Sequence, residues 1–409
     1  MFDLPVRENA PRLAVYVKRK AIPFVTAGHP WLFADSIEKV SGQGGAPGDI
    51  AVLFDANRAF IGAGLYDPAS PVRVKIFSNS KNLPPVGPEL FLHSARAAAA
   101  LRSGKISGDT DAWRMINGDS DAFPGMVADK YANALVCKFY SAALLPWAGA
   151  LVNVVAESVP GIDSLVIRLS RELQKMEDSP VRDGMIFSLK DPDWDAMMQF
   201  RENGIVFEAD LRRGQKTGFF LDQRENRSRT AKLAAGKDVL NVFSYSGGFS
   251  LYAAQGGAKS VTSVDLDPHA IALCNRNFSL NPALDKVPHQ EIAGDAFEVF
   301  AQLRTEKRLF DMIVVDPPSF AKSASEVPGA LHSYARLAKA AVRVLKKNGI
   351  LVFASCSSRV DADTLFRTVC DAAAGAGRRL NVFDKTFHAP DHPAKFNESH
   401  YLKCLYAEA

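Results

Sequence analysis

The 409-residue chain is poor in cysteine, holding only Cys137, Cys274, Cys356, Cys370 and Cys404. Their number is odd, their positions are scattered and none forms a CxxC pair, which disfavours both a disulfide framework and a zinc module. A reducing, cytoplasmic compartment is the expectation. Uncharged apolar runs near the roughly 20 residues of a membrane span are lacking, and the first 20 residues contain no apolar stretch of signal-peptide length. Neither sign of charge dominates. Lys and Arg number 49 against 45 Asp and Glu, a net +4 that fits nucleic-acid binding and an ordinary enzyme equally well. Internal repeats are absent, and so is the Gly-x-Gly-x-x-Gly turn that a nicotinamide dehydrogenase would carry after its first strand. His388, His392 and His400 lie near one another but lack a fixed spacing or a supporting ligand set, so no metal is expected there.

What is present falls into three zones. Residues 1–82 hold short β-branched and apolar runs at 13–17, 50–54, 60–66 and 72–77, separated by Gly, Pro, Asn and Asp. This is the pattern of a small β-barrel or sandwich. The stretch 79–88 is polar and proline-bearing and reads as a linker. Residues 83–205 begin with an alanine-rich helix at 90–101. Strands follow at 113–117, 126–129, 134–139 and 164–169, with a helical segment near 144–156, which together make a compact α+β insert. In residues 206–409 strands (238–243, 260–265, 311–316, 349–355) alternate with helices that start after Gly248, start at Pro268 and run through Val344. That alternation predicts an α/β fold with a doubly wound, largely parallel sheet. Two late strands, 380–387 and 401–407, have no long helix between them and predict a closing antiparallel hairpin.

The residues that carry chemistry cluster at the ends of these strands. In VLNVFSYSGGF, 239–249, a buried strand enters a small-residue turn and then a helix. Ser244, Ser246, Gly247 and Gly248 let a ligand approach the backbone, and the helix start offers N–H groups to an anion. A tight turn that binds nothing is the alternative. The next strand ends in Asp265, with Asp267 two residues on. The first suits a ribose diol and the second a cap for the helix beginning at Pro268, although either aspartate can cap. Asp295 and Ala296 at another strand end read as an amine-binding acid beside a small residue, or as a plain helix cap. The segment FDMIVVDPPSF, 310–320, ends a buried strand in Asp316, Pro317 and Pro318. The prolines fix the backbone, so a carboxylate and carbonyls project rigidly, with Phe320 available to stack on a base. In LVFASCSS, 351–358, Cys356 stands at a further strand end among hydroxyl residues. A thiolate there is a nucleophile, whereas most cysteines, including the other four, read as small buried hydrophobes. Finally, in GQKTGFFLDQREN, 214–226, the polar Lys216, Thr217, Asp222, Gln223 and Arg224 surround the aromatic pair Phe219 and Phe220 and read as a lid or a cofactor contact, against an ordinary hairpin with Asp222 as helix cap.

Taken together, the stretches 29–33 (HPWLF), 214–224, 240–249, 316–320, 355–357, 391–393 (DHP) and 401–403 (YLK) resemble the bacterial large-subunit (23S) rRNA cytosine-5 methyltransferases, in the same order and over nearly the whole chain. The resemblance implies three parts. They are a PUA RNA-binding β-barrel at 1–82, a middle α+β domain at 83–205 and a class I, Rossmann-like methyltransferase domain at 206–409 that uses S-adenosylmethionine. It implies Lys216, Thr217, Phe219, Asp222, Phe243, Ser244, Gly247, Gly248, Asp265, Asp295, Ala296 and Asp316 around the cofactor. Arg224, Pro317, Pro318 and Phe320 are implied around the base, and Cys356 with Asp316 in catalysis. The thiolate of Cys356 would attack C6 of a cytosine that has left its stack. The implied partner is large-subunit ribosomal RNA; no membrane and no metal are implied, and a homodimer is admitted. Two departures stand out. No second cysteine follows Asp316, and Asn241 occupies a position where an acid is usual. Two other readings stay open: methylation of another base such as a guanine nitrogen, and a non-catalytic RNA-binding assembly factor. The basic cluster Lys18, Arg19 and Lys20 reads as a phosphate contact or as a solvated patch.

Overall fold

The computed structural model describes residues 1–7, 9–41 and 45–409. They form two compact units, one of Met1–Phe200, Ala209–Leu221 and Pro390–Phe396, the other of Arg201–Glu208, Asp222–Ala389 and Asn397–Ala409.

In the first unit, strands β1 (Arg12–Val17), β2 (Trp31–Phe33), β3 (Ile37–Val40), β4 (Ile50–Phe54), β5 (Phe60–Tyr66) and β6 (Val72–Ser78) make a mixed six-stranded sheet in the order β2-β6-β5-β4-β1-β3. Alternation along the strands drives it. Leu13, Val15 and Val17 of β1 and Ala51 and Leu53 of β4 point into a core with Val25 of α1 (Ile22–Thr26), Leu32 and Val74. A second sheet, β11-β10-β9-β8-β7, comprises β7 (Ala112–Asn117), β8 (Met126–Tyr131), β9 (Ala134–Phe139), β10 (Ser164–Leu169) and β11 (Met185–Ser188). Helices α2 (Pro88–Arg102) and α3 (Ala148–Glu157) complete this layer. Leu65 and Phe77 of the first sheet share one hydrophobic cluster with Phe91 and Trp147, and the Trp147 Nε1–H donates to the Gly48 carbonyl at 2.8 Å. The stretch expected to be a linker therefore joins two sheets that share a core, and Val86 within it is buried.

The late segment Pro390–Phe396 belongs to this unit because its polar groups answer buried charges there. Arg102 donates to the Asp391 carbonyl at 2.8 Å, the Arg114 backbone N–H donates to the Asp391 carboxylate at 2.9 Å, and Asn117 donates to the Pro393 carbonyl at 2.8 Å. His392 and its neighbour Asp391 are fully buried with it.

Between these segments runs a β-ribbon, β12 (Met197–Glu202) and β13 (Ile205–Asp210). The second unit contains β14 (Asp238–Val242), β15 (Ser260–Asp265), β16 (His289–Ala293), β17 (Phe310–Val315), β18 (Leu345–Ser355), β19 (Asn381–Thr386) and β20 (Lys403–Glu408). They form one seven-stranded sheet in the order β16-β15-β14-β17-β18-β20-β19. The first five in that order run parallel, and β20 is antiparallel to both β18 and β19. The near-continuous apolar run of β17 follows from burial on both faces. Helices α4 (Arg224–Leu233), α5 (Gly248–Gln255), α6 (Pro268–Ser279), α7 (Ala296–Thr305), α8 (Val327–Val344) and α9 (Ala362–Ala374) belong to the same unit. The α8 residues Ala330, Tyr334, Leu337, Ala338, Ala341 and Val342 are buried, the spacing of a single helical face. The antiparallel hairpin expected at the end of the chain is present, with β20 inserted between β18 and β19.

Candidate active site

Sheet register decides which residues meet. Val242 pairs with Val264 on one side and with Val315 on the other, Val315 pairs with Phe353, and Asp265 pairs with Ala293. Asp265 thus ends its strand, and Phe243–Ser244, Asp295, Asp316 and Cys356 follow the last paired residues of four neighbouring strands, all at the carboxyl edge. The chain order reverses between β15 and β17 around β14, and such a reversal is where open α/β sheets bind ligands.

The turn after β14 is strained. Phe243 (φ 63°), Tyr245 (φ 46°) and Gly247 (φ 84°) are left-handed, a conformation that costs non-glycine residues on the order of 1–3 kcal/mol and concentrates at functional sites. Such turns gather N–H groups on one side. A Cβ at Gly247 would lie 2.4 Å from the Cys274 sulfur, so no larger residue fits. Asp265 braces the turn. One carboxylate oxygen accepts from the Tyr245 N–H at 2.7 Å and the other from the Asp267 N–H at 3.0 Å. Asp267 caps α6 by accepting from the His269 N–H. Beside Asp265 the side chain of Leu266 is 69% exposed, an apolar surface left open at the same edge. Asp295 caps α7, accepting from the Phe297 and Glu298 N–H groups at 2.9 and 3.2 Å, and the following Ala296 is buried. Asn241 is buried and donates from Nδ2 to the Ser250 hydroxyl at 2.9 Å, within a chain that continues through Ser263 to His289. An aspartate at 241 would have no N–H to donate, which accounts for the amide.

One and two strands from β14, Asp316 and Cys356 are both half-buried, so residue 356 is not sealed in the core. Pro317 is buried and Pro318 exposed, and Phe320 packs on the Tyr334 ring at 5.1 Å. The Tyr334 hydroxyl meets that of Ser355 at 2.9 Å. Its pKa is raised by burial, partly offset by the Ser355 hydrogen bond, with the charges of Cys356 and Asp316 adding to the rise. The Ser357 hydroxyl donates to the Ala321 carbonyl at 3.4 Å and ties the two strand-end loops together. Burial pushes the Cys274 thiol up to about 12, and raises those of Cys137, Cys370 and Cys404 as well.

The remaining expected residues fall on other segments of the chain. Lys216, Thr217 and Phe219 belong to the first unit. The Thr217 hydroxyl donates to Asp129 at 2.5 Å and meets that of Tyr131 at 3.1 Å; Phe219 is 2% exposed and packs on Phe200. The Lys216 ammonium lies over the Phe220 ring at 4.5 Å. Asp222 and Arg224 are buried in the second unit. Gln223, not Asp222, holds the N-cap position of α4, without a side-chain cap, and the Asp222 carboxylate accepts from the Tyr401 hydroxyl at 2.9 Å. Nothing local in the chain assigns a role to Tyr245, Tyr334 or Lys403, although the last lies in the stretch 401–403 that carries part of the family resemblance. The first shows itself only through its φ, and the other two only through strand and helix register.

Residues 190–400 match the model of the S-adenosylmethionine-dependent methyltransferase family, and residues 15–79 match a PUA-like domain. A ribosomal RNA large subunit methyltransferase of Deinococcus radiodurans is 41% identical over 405 residues, covering 98% of each chain. The ribosomal RNA large subunit methyltransferase I of Shewanella amazonensis is 34% identical, covering 93% of this chain and 95% of its own. Among solved structures, a SAM-dependent methyltransferase from Streptococcus mutans superposes with a TM-score of 0.80 at 24% identity, covering 97% of this chain and all of its own, a likeness of fold. No described helix is long and apolar enough to cross a membrane. The chain therefore belongs to the family of S-adenosylmethionine-dependent methyltransferases with a PUA-like domain that includes the ribosomal RNA large subunit methyltransferases.

Proposed function

We propose that this chain methylates C5 of a cytosine in large-subunit (23S) ribosomal RNA through a covalent bond between the Cys356 sulfur and C6 of the base. The observation that carries the reading is the placement of a half-buried Cys356 at the carboxyl edge, one strand from Asp316. The names of the relatives support the RNA class. In this reading residues 1–82 grip RNA, with Lys18, Arg19 and Lys20 exposed for phosphates. Residues 83–205 act as the middle domain, and residues 206–409 carry the chemistry.

The cofactor fits the turn after β14. The Ser244 and Ser246 hydroxyls are buried without a hydrogen-bond partner among the described residues, and buried polar atoms of that kind call for one. With the N–H groups at the start of α5 they suit the methionine end of S-adenosylmethionine. Asp265 suits its ribose, and Asp295 with Ala296 its adenine. Phe243, Gly247 and Gly248 line the approach. Thr217 and Phe219 are left out of this set because they are almost fully buried, whereas Asp265 and Asp295 keep part of their surface open. When bound, the cofactor supplies the methyl group. The chain's own residues do the rest. The Cys356 sulfur adds to C6, which makes C5 nucleophilic, while Asp316 hydrogen-bonds the ring near N3. Pro317 and Pro318 hold that carboxylate rigid, and Phe320 stacks on the base. Loss of the C5 proton to water and departure of the sulfur as a thiolate restore the ring double bond and release the product.

Asp265→Asn should weaken binding of S-adenosylhomocysteine by about 10- to 100-fold, the range for a hydrogen bond to a charged group. Isothermal titration reads this directly, and an unchanged Kd removes Asp265 from the ribose role. The reading as a whole is tested by mapping methylated cytosines in 23S rRNA from cells with and without the protein. One cytosine should lose its mark and regain it on complementation. If every 5-methylcytosine persists, the proposed activity is wrong.

A further inference from the structure

We propose that Lys403 is the positioning residue that keeps the Cys356 sulfur in its negatively charged, nucleophilic form. This rests on the reading of Cys356 as the nucleophile. Lys403 opens β20, and it pairs directly with Ser355, the last residue of β18. Because β20 runs antiparallel to β18, the strand that would otherwise pass beyond the site instead begins at its edge. The side chain is buried, with the residue 2% exposed, an environment lysine enters only when paired. Among the described residues no carboxylate lies within ion-pair distance of Nζ. Two carbonyl oxygens hold the ammonium instead, that of Ser357, immediately after the cysteine, and that of Tyr401 at 3.1 Å. An ammonium has three N–H groups, so one remains for a further acceptor.

The charged and titratable groups around the sulfur come from four elements. Lys403 is on β20, Tyr334 on α8, Asp316 after β17, and Asp361 at the N-terminus of α9, where it accepts from the Thr364 N–H at 2.8 Å. The carboxylate of Asp316 and the buried Tyr334 hydroxyl do not favour a second negative charge. Lys403 is the cation of the group, and its electrostatic partners are Cys356 and Asp361. Burial lowers its amine to about 8, with those two partners pulling the other way. When the thiol ionises, the S–H bond breaks, its electron pair stays on sulfur and the proton leaves to water. The ammonium stays protonated and offsets the new charge.

The test is alkylation of Cys356 in the full chain by iodoacetamide between pH 5.5 and 9.5, followed by peptide mass spectrometry. Lys403→Met should move the midpoint upward by at least about one pH unit and slow alkylation at pH 7 about tenfold. Lys403→Arg should restore the profile. A folded Lys403→Met protein with the wild-type profile overturns the proposal. If Lys403→Met does not fold, the reciprocal measurement decides. Removing the thiolate with Cys356→Ser should lower the Lys403 amine midpoint seen by NMR of 15N-labelled lysine, and an unmoved midpoint overturns the proposal. Alkylation needs neither RNA nor cofactor. A shifted profile in Lys403→Met beside a fully active Cys356→Ala variant would therefore keep the coupling and discard only the nucleophile.

Discussion

Cys356→Ala should lose methyl transfer to RNA by on the order of a thousandfold or more, since removing a covalent nucleophile leaves only positioning and electrostatics. The same substitution should leave binding of S-adenosylhomocysteine nearly unchanged. The residues proposed to hold the cofactor follow β14, β15 and β16, whereas Cys356 follows β18, with β17 between it and β14. The half-buried position also makes the variant tolerable, because an alanine there opens no sealed cavity. Tritiated methyl incorporation reads the loss, and titration calorimetry reads the retained affinity. Wild-type protein should form a stable complex with RNA carrying 5-fluorocytosine, since fluorine cannot leave C5 as a proton does. The alanine variant should form none. Full incorporation by Cys356→Ala would eliminate the covalent route and return attention to methylation of an amino nitrogen, for which an Asp-Pro-Pro segment suffices.

The second large effect is on stability. Glu202 is fully buried and accepts two hydrogen bonds from Arg227 of α4, at 2.8 and 2.6 Å, with the arginine equally buried. Both belong to the second unit, and the pair ties the segment Arg201–Glu208 to the start of the methyltransferase layer. Removing one partner of a buried pair strands the other charge in a medium of low polarity, at a cost of about 3–5 kcal/mol. Glu202→Gln should therefore lower the urea midpoint of the second unit's transition sharply. The double variant Glu202→Leu with Arg227→Met should recover most of the loss, because the two desolvation costs disappear together. If Glu202→Gln unfolds like the wild type, the pair contributes nothing to the stability of this unit.

Much of the molecule was legible in the sequence for local reasons. Strands 134–139, 164–169 and 260–265 are bounded as the residue pattern indicated, since apolar runs and turn residues act over a few positions. The edge strand His289–Ala293 was not, because an edge strand is only half-buried and HQEIA carries no apolar alternation. The cap at Asp267 was legible from Asp followed by Pro. The roles of Thr217 and Phe219 were not, because their partners Asp129, Tyr131 and Phe200 are distant in the chain. The same holds for the segment Pro390–Phe396, whose backbone and carboxylate answer arginines nearly 300 residues earlier.

Sequence alone determined the class of the fold, the family, and which short segments carry reactive side chains, because these depend on periodicity and on residue type at strand ends. Only the tertiary structure decided that five strand ends share one edge and that Gly247 admits no side chain. Strand order likewise sets a buried lysine opposite Ser355, the residue before the cysteine. Such facts arise from pairing between distant strands, and no local run of residues encodes a register.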